Sequence, residues 1–121
     1  MNTRFQGGLA EAEACRYIEA LGMLPLCKNY RKATGEIDLI CMDKDAIVFI
    51  EVKARVSSKR GLPQEAVTPS KQRKIVKTAL MYLKENRLHS VKMRFDVIAV
   101  LGSEIKYIPS AFNAGMFRLN K

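Results

Sequence analysis

Asp38, Glu51 and Lys53 are the side chains in this sequence best suited to act together. Asp38 interrupts the apolar run Ile37-Asp38-Leu39-Ile40, and Glu51-Val52-Lys53 follows Ile47-Val48-Phe49-Ile50 directly. Charges carried toward an interior need compensation, because an unpaired buried charge is heavily penalised. Two opposed carboxylates repel when both are ionised, which raises the pKa of one of them unless a cation intervenes. Oxygen-only ligation suits Mg2+ or Mn2+, and Mg2+ typically takes one or two carboxylates and completes its sphere with water and phosphate oxygens. Lys53 could instead neutralise the pair as a structural ion-pair network, or orient the water of a metal site. The residue types alone leave both open.

The elements that would position these groups can be read from pattern. Residues 36–42 and 46–54 are strand-like and joined by Asp43-Lys44-Asp45, which implies an antiparallel hairpin. With Lys44-Asp45 as the loop, Asp38 falls opposite Glu51, the two Cβ atoms about 4.5–5.5 Å apart. Alternation brings Lys53 to the same face. Leu9 to Leu21 is helical, with Gly22 as its stop and Ala14, Ile18 and Leu21 as its inner stripe. Glu11, one turn before Ala14, then points inward or along the rim; a first-turn acid favouring the helix dipole is the plain alternative. Leu24 to Arg31 is an edge strand, restricted by Pro25.

Residues 56–67 lose periodicity and form a basic loop, after which Thr68-Pro69 opens a helix running to about Arg87. Its apolar stripe is Ile75, Val76, Ala79, Tyr82 and Leu83, with Gln72 on the edge and Lys71, Lys74 and Lys77 outside. Met93 to Leu101 is apolar enough for the sheet centre. A last strand, Glu104 to Ile108, should stop at Pro109, and residues 110–121 show no pattern.

At 121 residues the chain makes one domain with one core. Its net charge of +9 is concentrated: residues 53–94 hold twelve Lys or Arg against Glu65 and Glu85. Such a local field suits a polyanion, most often nucleic acid, although a solubilising surface would also carry it. No apolar run is long enough to span a membrane and no signal pattern opens the chain, so a cytoplasmic location is expected. Cys15, Cys27 and Cys41 lie among apolar neighbours and are expected as buried thiols. His89 is expected at the surface, Asp96 in a structural hydrogen-bonding role, and Gly7-Gly8 lacks the preceding strand of a phosphate loop.

Asp38 followed thirteen residues later by Glu51-Val52-Lys53 resembles the Asp…Glu-X-Lys signature of the restriction-endonuclease-like PD-(D/E)XK nucleases. More specific is the ordered set Gly-Glu-Ile-Asp-Leu-Ile, Val-Phe-Ile-Glu-Val-Lys-Ala-Arg, Glu65-Ala-Val-Thr with Lys71, and Arg94-Phe-Asp-Val-Ile, which resembles the YraN-like family of bacterial proteins. The similarity covers residues 7–108 and implies an α/β, restriction-endonuclease-like mixed sheet in the order α-β-β-β-α-β-β, akin to Holliday junction resolvases. It implies a catalytic set of Glu11, Asp38, Glu51, Lys53 and Gln72, with Asp38 and Glu51 as ligands of Mg2+ or Mn2+. Flanking DNA phosphates would meet Arg55, Lys59, Arg60, Lys71 and Lys74. Two positions depart from the pattern: Ile37 replaces the proline before the aspartate, and Ala10 replaces a glycine before the helix glutamate. The resulting expectation is a Mg2+-dependent endonuclease for structured or branched DNA. The alternatives are a non-catalytic nucleic-acid-binding protein that keeps the nuclease fold and a structural scaffold for a partner protein. Fold analogy with branched-DNA nucleases suggests a homodimer.

Overall fold

Ile47-Val48-Phe49-Ile50 and Val97-Ile98-Ala99-Val100 are apolar at every position, a composition that suits strands covered on both faces. The computed structural model, which describes residues 3–55 and 67–113 and side chains over 8–54 and 67–113, has this sandwich. Its elements are α1 (Thr3–Ala20), β1 (Leu24–Lys32), β2 (Gly35–Asp43), β3 (Ala46–Arg55), α2 (Pro69–Glu85), β4 (Lys92–Leu101) and β5 (Glu104–Phe112). The five strands lie in the order β1-β2-β3-β4-β5. All neighbours are antiparallel except β3 and β4, which are parallel and joined through α2. The mixed sheet and the element order are those expected.

Each helix covers one face. Ala10, Ala14, Cys15 and Ile18 of α1 pack with Leu39, Cys41, Val48, Ile50, Ile98 and Val100. On the other side Ile75, Val76, Ala79, Tyr82 and Leu83 of α2 meet Ile37, Ile40, Ile47, Phe49, Phe95 and Val97. The α2 stripe is therefore the one its spacing predicts. Among the described residues no helix is long and apolar enough to cross a membrane.

Several boundaries move for local reasons. α1 begins at Thr3 rather than Leu9, because Gly7 and Gly8 cost about 1 kcal/mol each in helix propensity but impose no steric bar. Leu21 is 53% exposed instead of lining the inner stripe. The helix ends one residue earlier, in a left-handed turn at Gly22 (φ 88°). There the Met23 and Gly22 N–H groups donate to the Ile18 and Glu19 carbonyls, both at 3.0 Å, and Met23 is buried instead. α2 ends at Glu85, because Arg87 adopts φ 55° and Leu88 N–H returns to the Leu83 carbonyl at 2.8 Å. Cys15 and Cys41 are buried but Cys27, on the edge strand, is only half-buried; all three are free.

β5 does not stop before Pro109 but runs to Phe112. As an edge strand it tolerates a missing donor, and a register shift opposite Phe95 to Val97 absorbs the irregularity. The expected basic loop over residues 56–67 lies outside the described residues apart from Val67, as do Lys59, Arg60 and the tail from 114.

α2 starts as the sequence predicts. Thr68 is its N-cap, accepting from Lys71 N–H at 3.3 Å, and Pro69 follows. Thr68→Ala should lower the unfolding free energy by about 1 kcal/mol in urea titrations, the usual worth of such a cap. A change below about 0.3 kcal/mol would show that this cap contributes nothing.

Candidate functional site

The β2–β3 ladder begins at Asp43↔Ala46 and ends at Leu39↔Ile50. Beyond that point β2 continues beside β1 as far as Lys32↔Gly35, while β3 continues beside β4 as far as Arg55↔Leu101. The sheet thus forks, and Asp38 and Glu51 are the first residues past the split. This is how charge is carried at the end of two core strands: the opening releases backbone donors that the carboxylates take up. Val52 N–H donates to Asp38 Oδ2 at 2.8 Å, and Asp38 N–H lies 3.5 Å from Glu51 Oε2. Each strand's acid replaces part of the ladder lost by the other.

The diverging arm is held by α2. Thr34, in the β1–β2 turn, shares a 2.7 Å hydrogen bond with Thr78, whose hydroxyl lies 2.8 Å from the Lys74 carbonyl. Lys32 pairs with Glu85 at 2.6 Å, and Tyr30 donates its hydroxyl to the same carboxylate. Gly35 (φ 149°) fits where a Cβ would come within 3.3 Å of Thr78 Oγ1 and 3.5 Å of Lys74 Cβ. These contacts set how far Asp38 stands from β3.

Electrostatics at the fork are dominated by burial of the carboxyls, with repulsion between them second. Burial and then repulsion from Asp38 push the Glu51 carboxyl up to about 8, against the opposing pull of Lys53. Burial likewise raises Asp38, opposed by the Val52 N–H and Lys53. Glu11 is raised by burial, then by Asp38 and Glu36. The helix glutamate, the two strand acids and Lys53 therefore share one field. Glu36, not singled out from the sequence, adds to it, and is itself paired with Arg31 at 2.9 Å. It sits in the same Gly-Glu-Ile-Asp string and could have been found there.

Gln72 is placed differently. Its side-chain amide donates to the Val67 carbonyl at 2.9 Å, bracing the entry to α2, and no hydrogen bond joins it to Asp38 or Glu51. Lys71 and Lys74 are exposed on α2, Lys74 beside the start of β2. Arg55 closes β3, its side chain outside the described part. His89 is exposed as expected. Asp96 is structural, buried and bonded to Arg94, Tyr107 and Ser110.

Among the described residues no three acidic, histidine or cysteine side chains enclose a common point. The donor set at the fork is two half-buried carboxyl groups with raised proton affinity. That fits a hard divalent cation of the Mg2+ kind, which needs only one or two carboxylates and keeps its other positions for water or phosphate.

Sequence comparison places the chain among known proteins. The model of the uncharacterised protein family UPF0102 matches residues 10–100. The chain belongs to this family. A UPF0102 protein of Syntrophus aciditrophicus is 50% identical over 110 residues, spanning 88% of this chain and 87% of the relative. One from Lachnoclostridium phytofermentans is 44% identical over 115 residues, 94% of this chain and 98% of its own. A third, from Sulfurihydrogenibium sp., is 42% identical over 113 residues, 93% and 98% of the two chains. The YraN-like resemblance is thus met as UPF0102 membership, and the matched span contains Glu11, Asp38, Glu51, Lys53 and Gln72.

Proposed function

We propose that this UPF0102 protein is a divalent-metal-dependent phosphodiesterase acting on structured or branched DNA. The observation that carries it is the fork: Asp38 and Glu51 stand together past the last β2–β3 pair, both half-buried with proton affinity raised by that burial, and with Lys53 opposing the rise in each. The resemblance to PD-(D/E)XK nucleases assigns the same three residues. A stabilising ion-pair network would hold both acids ionised, whereas Lys53 here does not offset the burial and repulsion that keep Glu51 protonated, a shortfall that a bound cation would make up.

Asp38 and Glu51 would hold Mg2+ or Mn2+, which supplies Lewis acidity toward a phosphodiester and its attacking water. Lys53 then orients that water and stabilises negative charge on the phosphate. Glu11 contributes from α1, directly or through water. Lys74 lies beside Gly35 at the start of β2, and with Lys71, Arg55, Lys59 and Arg60 it would hold flanking backbone without reading bases.

The test is cleavage of a labelled four-way junction and a flap by the full chain, with Mg2+ or EDTA, beside Asp38→Ala and Lys53→Ala. Cleavage that needs Mg2+ and is lost in both variants is the expected result. Equal cleavage by all three proteins would mean a contaminating nuclease and would remove the proposal. Salt-sensitive binding without cleavage by the unaltered chain would replace it with the non-catalytic binding protein.

A further inference from the structure

Asn29 has a conformation that its strand does not call for. β1 and β2 pair at Cys27↔Ile40 and Lys28↔Leu39 and again at Tyr30↔Ile37, so Asn29 stands across from Asp38, with φ of 53°. Left-handed backbone at a non-glycine residue is uncommon, and Asn is among the side chains that tolerate it. Its effect shows on both strands. Cys27 and Tyr30 meet the α2 core together, as do Ile37 and Ile40, although strict alternation would put each pair on opposite faces. The kink presents Asn29 to α1. There its amide, oriented by its partners, places the nitrogen 3.1 Å from each of Glu11 Oε1 and Oε2. Glu11 meets repulsion from Asp38 and Glu36, and this amide and Lys28 are the groups that offset it.

We infer that Asn29 is a positioning residue: its left-handed backbone and its amide together hold the Glu11 carboxylate at the mouth of the fork, where Glu11 strengthens divalent-cation binding by Asp38 and Glu51. This rests on the metal-binding role proposed for the fork. The kink is otherwise hard to justify in a strand, and it lies at the one position of β1 that faces a candidate ligand.

Mn2+ binding to the full chain, read by the electron paramagnetic resonance of free Mn2+, separates the possibilities. Asn29→Gly keeps a backbone that accepts the left-handed conformation but deletes the amide. It should weaken Mn2+ binding about tenfold, at the low end for groups that orient metal ligands. Glu11→Gln should do the same, and the double variant should be no weaker than Glu11→Gln alone, because both changes remove one interaction. In the metal-free protein, the Asn29 side-chain amide resonances should shift in Glu11→Gln. Wild-type Mn2+ affinity in Asn29→Gly, with affinity lost in Asp38→Asn, overturns the role of Asn29 and leaves the metal site standing. Amide resonances unmoved by Glu11→Gln overturn it as well. If Asp38→Asn itself binds Mn2+ normally, the metal reading fails and this inference fails with it.

Discussion

Glu51→Gln should make the metal-free protein more stable at pH 8, not less. The folded-state pKa of Glu51 is raised to about 8, by burial first and Asp38 second, whereas in an unfolded chain a glutamate titrates near 4.3. Between those values the native state keeps a proton that the unfolded state has released. The stability associated with the neutral carboxyl is therefore complete below about pH 4.3 and is lost as pH rises through the folded value of about 8. At ~1.4 kcal/mol per unit the full shift would correspond to about 5 kcal/mol, which solvent screening of a half-buried carboxyl reduces to a few kcal/mol. Glutamine keeps the shape and an acceptor for the Asp38 N–H but does not ionise. In EDTA, then, the variant should melt well above wild type at pH 8, and the gap should shrink toward pH 5. Adding Mn2+ at pH 8 should reverse the order, since wild type gains from ligation and the variant loses a ligand. A difference between the two proteins that stays constant from pH 5 to pH 8 would refute the raised folded-state pKa of Glu51.

That prediction depends on a register that the amino-acid order itself encodes. The short Asp43-Lys44-Asp45 connection and the apolar Ile47–Ile50 run fix Leu39 against Ile50 as the last pair, and the next residues, already past the split, are Asp38 and Glu51. The two-sided burial of β3 and β4 and the inner stripe of α2 are equally legible, because periodicity records which face is covered. The fork is not. Where the β2–β3 ladder stops depends on what the outer halves prefer to join: β1 and α2 through Thr34, Gly35 and Lys32, and β4 through ten consecutive pairs. No local pattern encodes that competition. Asn29 is silent for a similar reason, since an asparagine between Lys28 and Tyr30 resembles any polar edge-strand residue and only its backbone sets it apart. Leu21 leaves the inner stripe because the helix closes in a Schellman turn one residue before it, which spacing alone does not register. Pro109 reads as a stop because the partner that carries β5 past it, Asp96, sits in another strand.

Asp96→Ala should be the most damaging substitution away from the fork. The carboxylate is 1% exposed. It accepts from Arg94 Nε at 3.0 and 3.1 Å, from Arg94 Nη2 at 3.0 Å, from the Ser110 N–H at 2.9 Å and from the Tyr107 hydroxyl. Arg94 reaches on to Asp43 at 3.0 Å, so the cluster ties β4 to the end of β2 and to β5. Removing its centre leaves a partly buried guanidinium with one carboxylate partner, and leaves the Ser110 N–H without its acceptor. Breaking a buried pair from one side costs about 3–5 kcal/mol, a large share of the ~5–15 kcal/mol by which a domain of this size is stable. The loss should appear in urea unfolding. Hydrogen exchange should accelerate first at Ser110 to Phe112, whose left-handed entry (Ser110, φ 52°) depends on that acceptor. Asp96→Asn keeps the volume and one acceptor oxygen but turns an amide toward Arg94, so it should lose less than alanine and still more than about 1 kcal/mol. A variant within about 1 kcal/mol of wild type, with β5 exchange unchanged, would mean that the packing of Phe95 and Phe112 alone holds the strand. It would also mean that the extension of β5 past Pro109 owes nothing to the carboxylate.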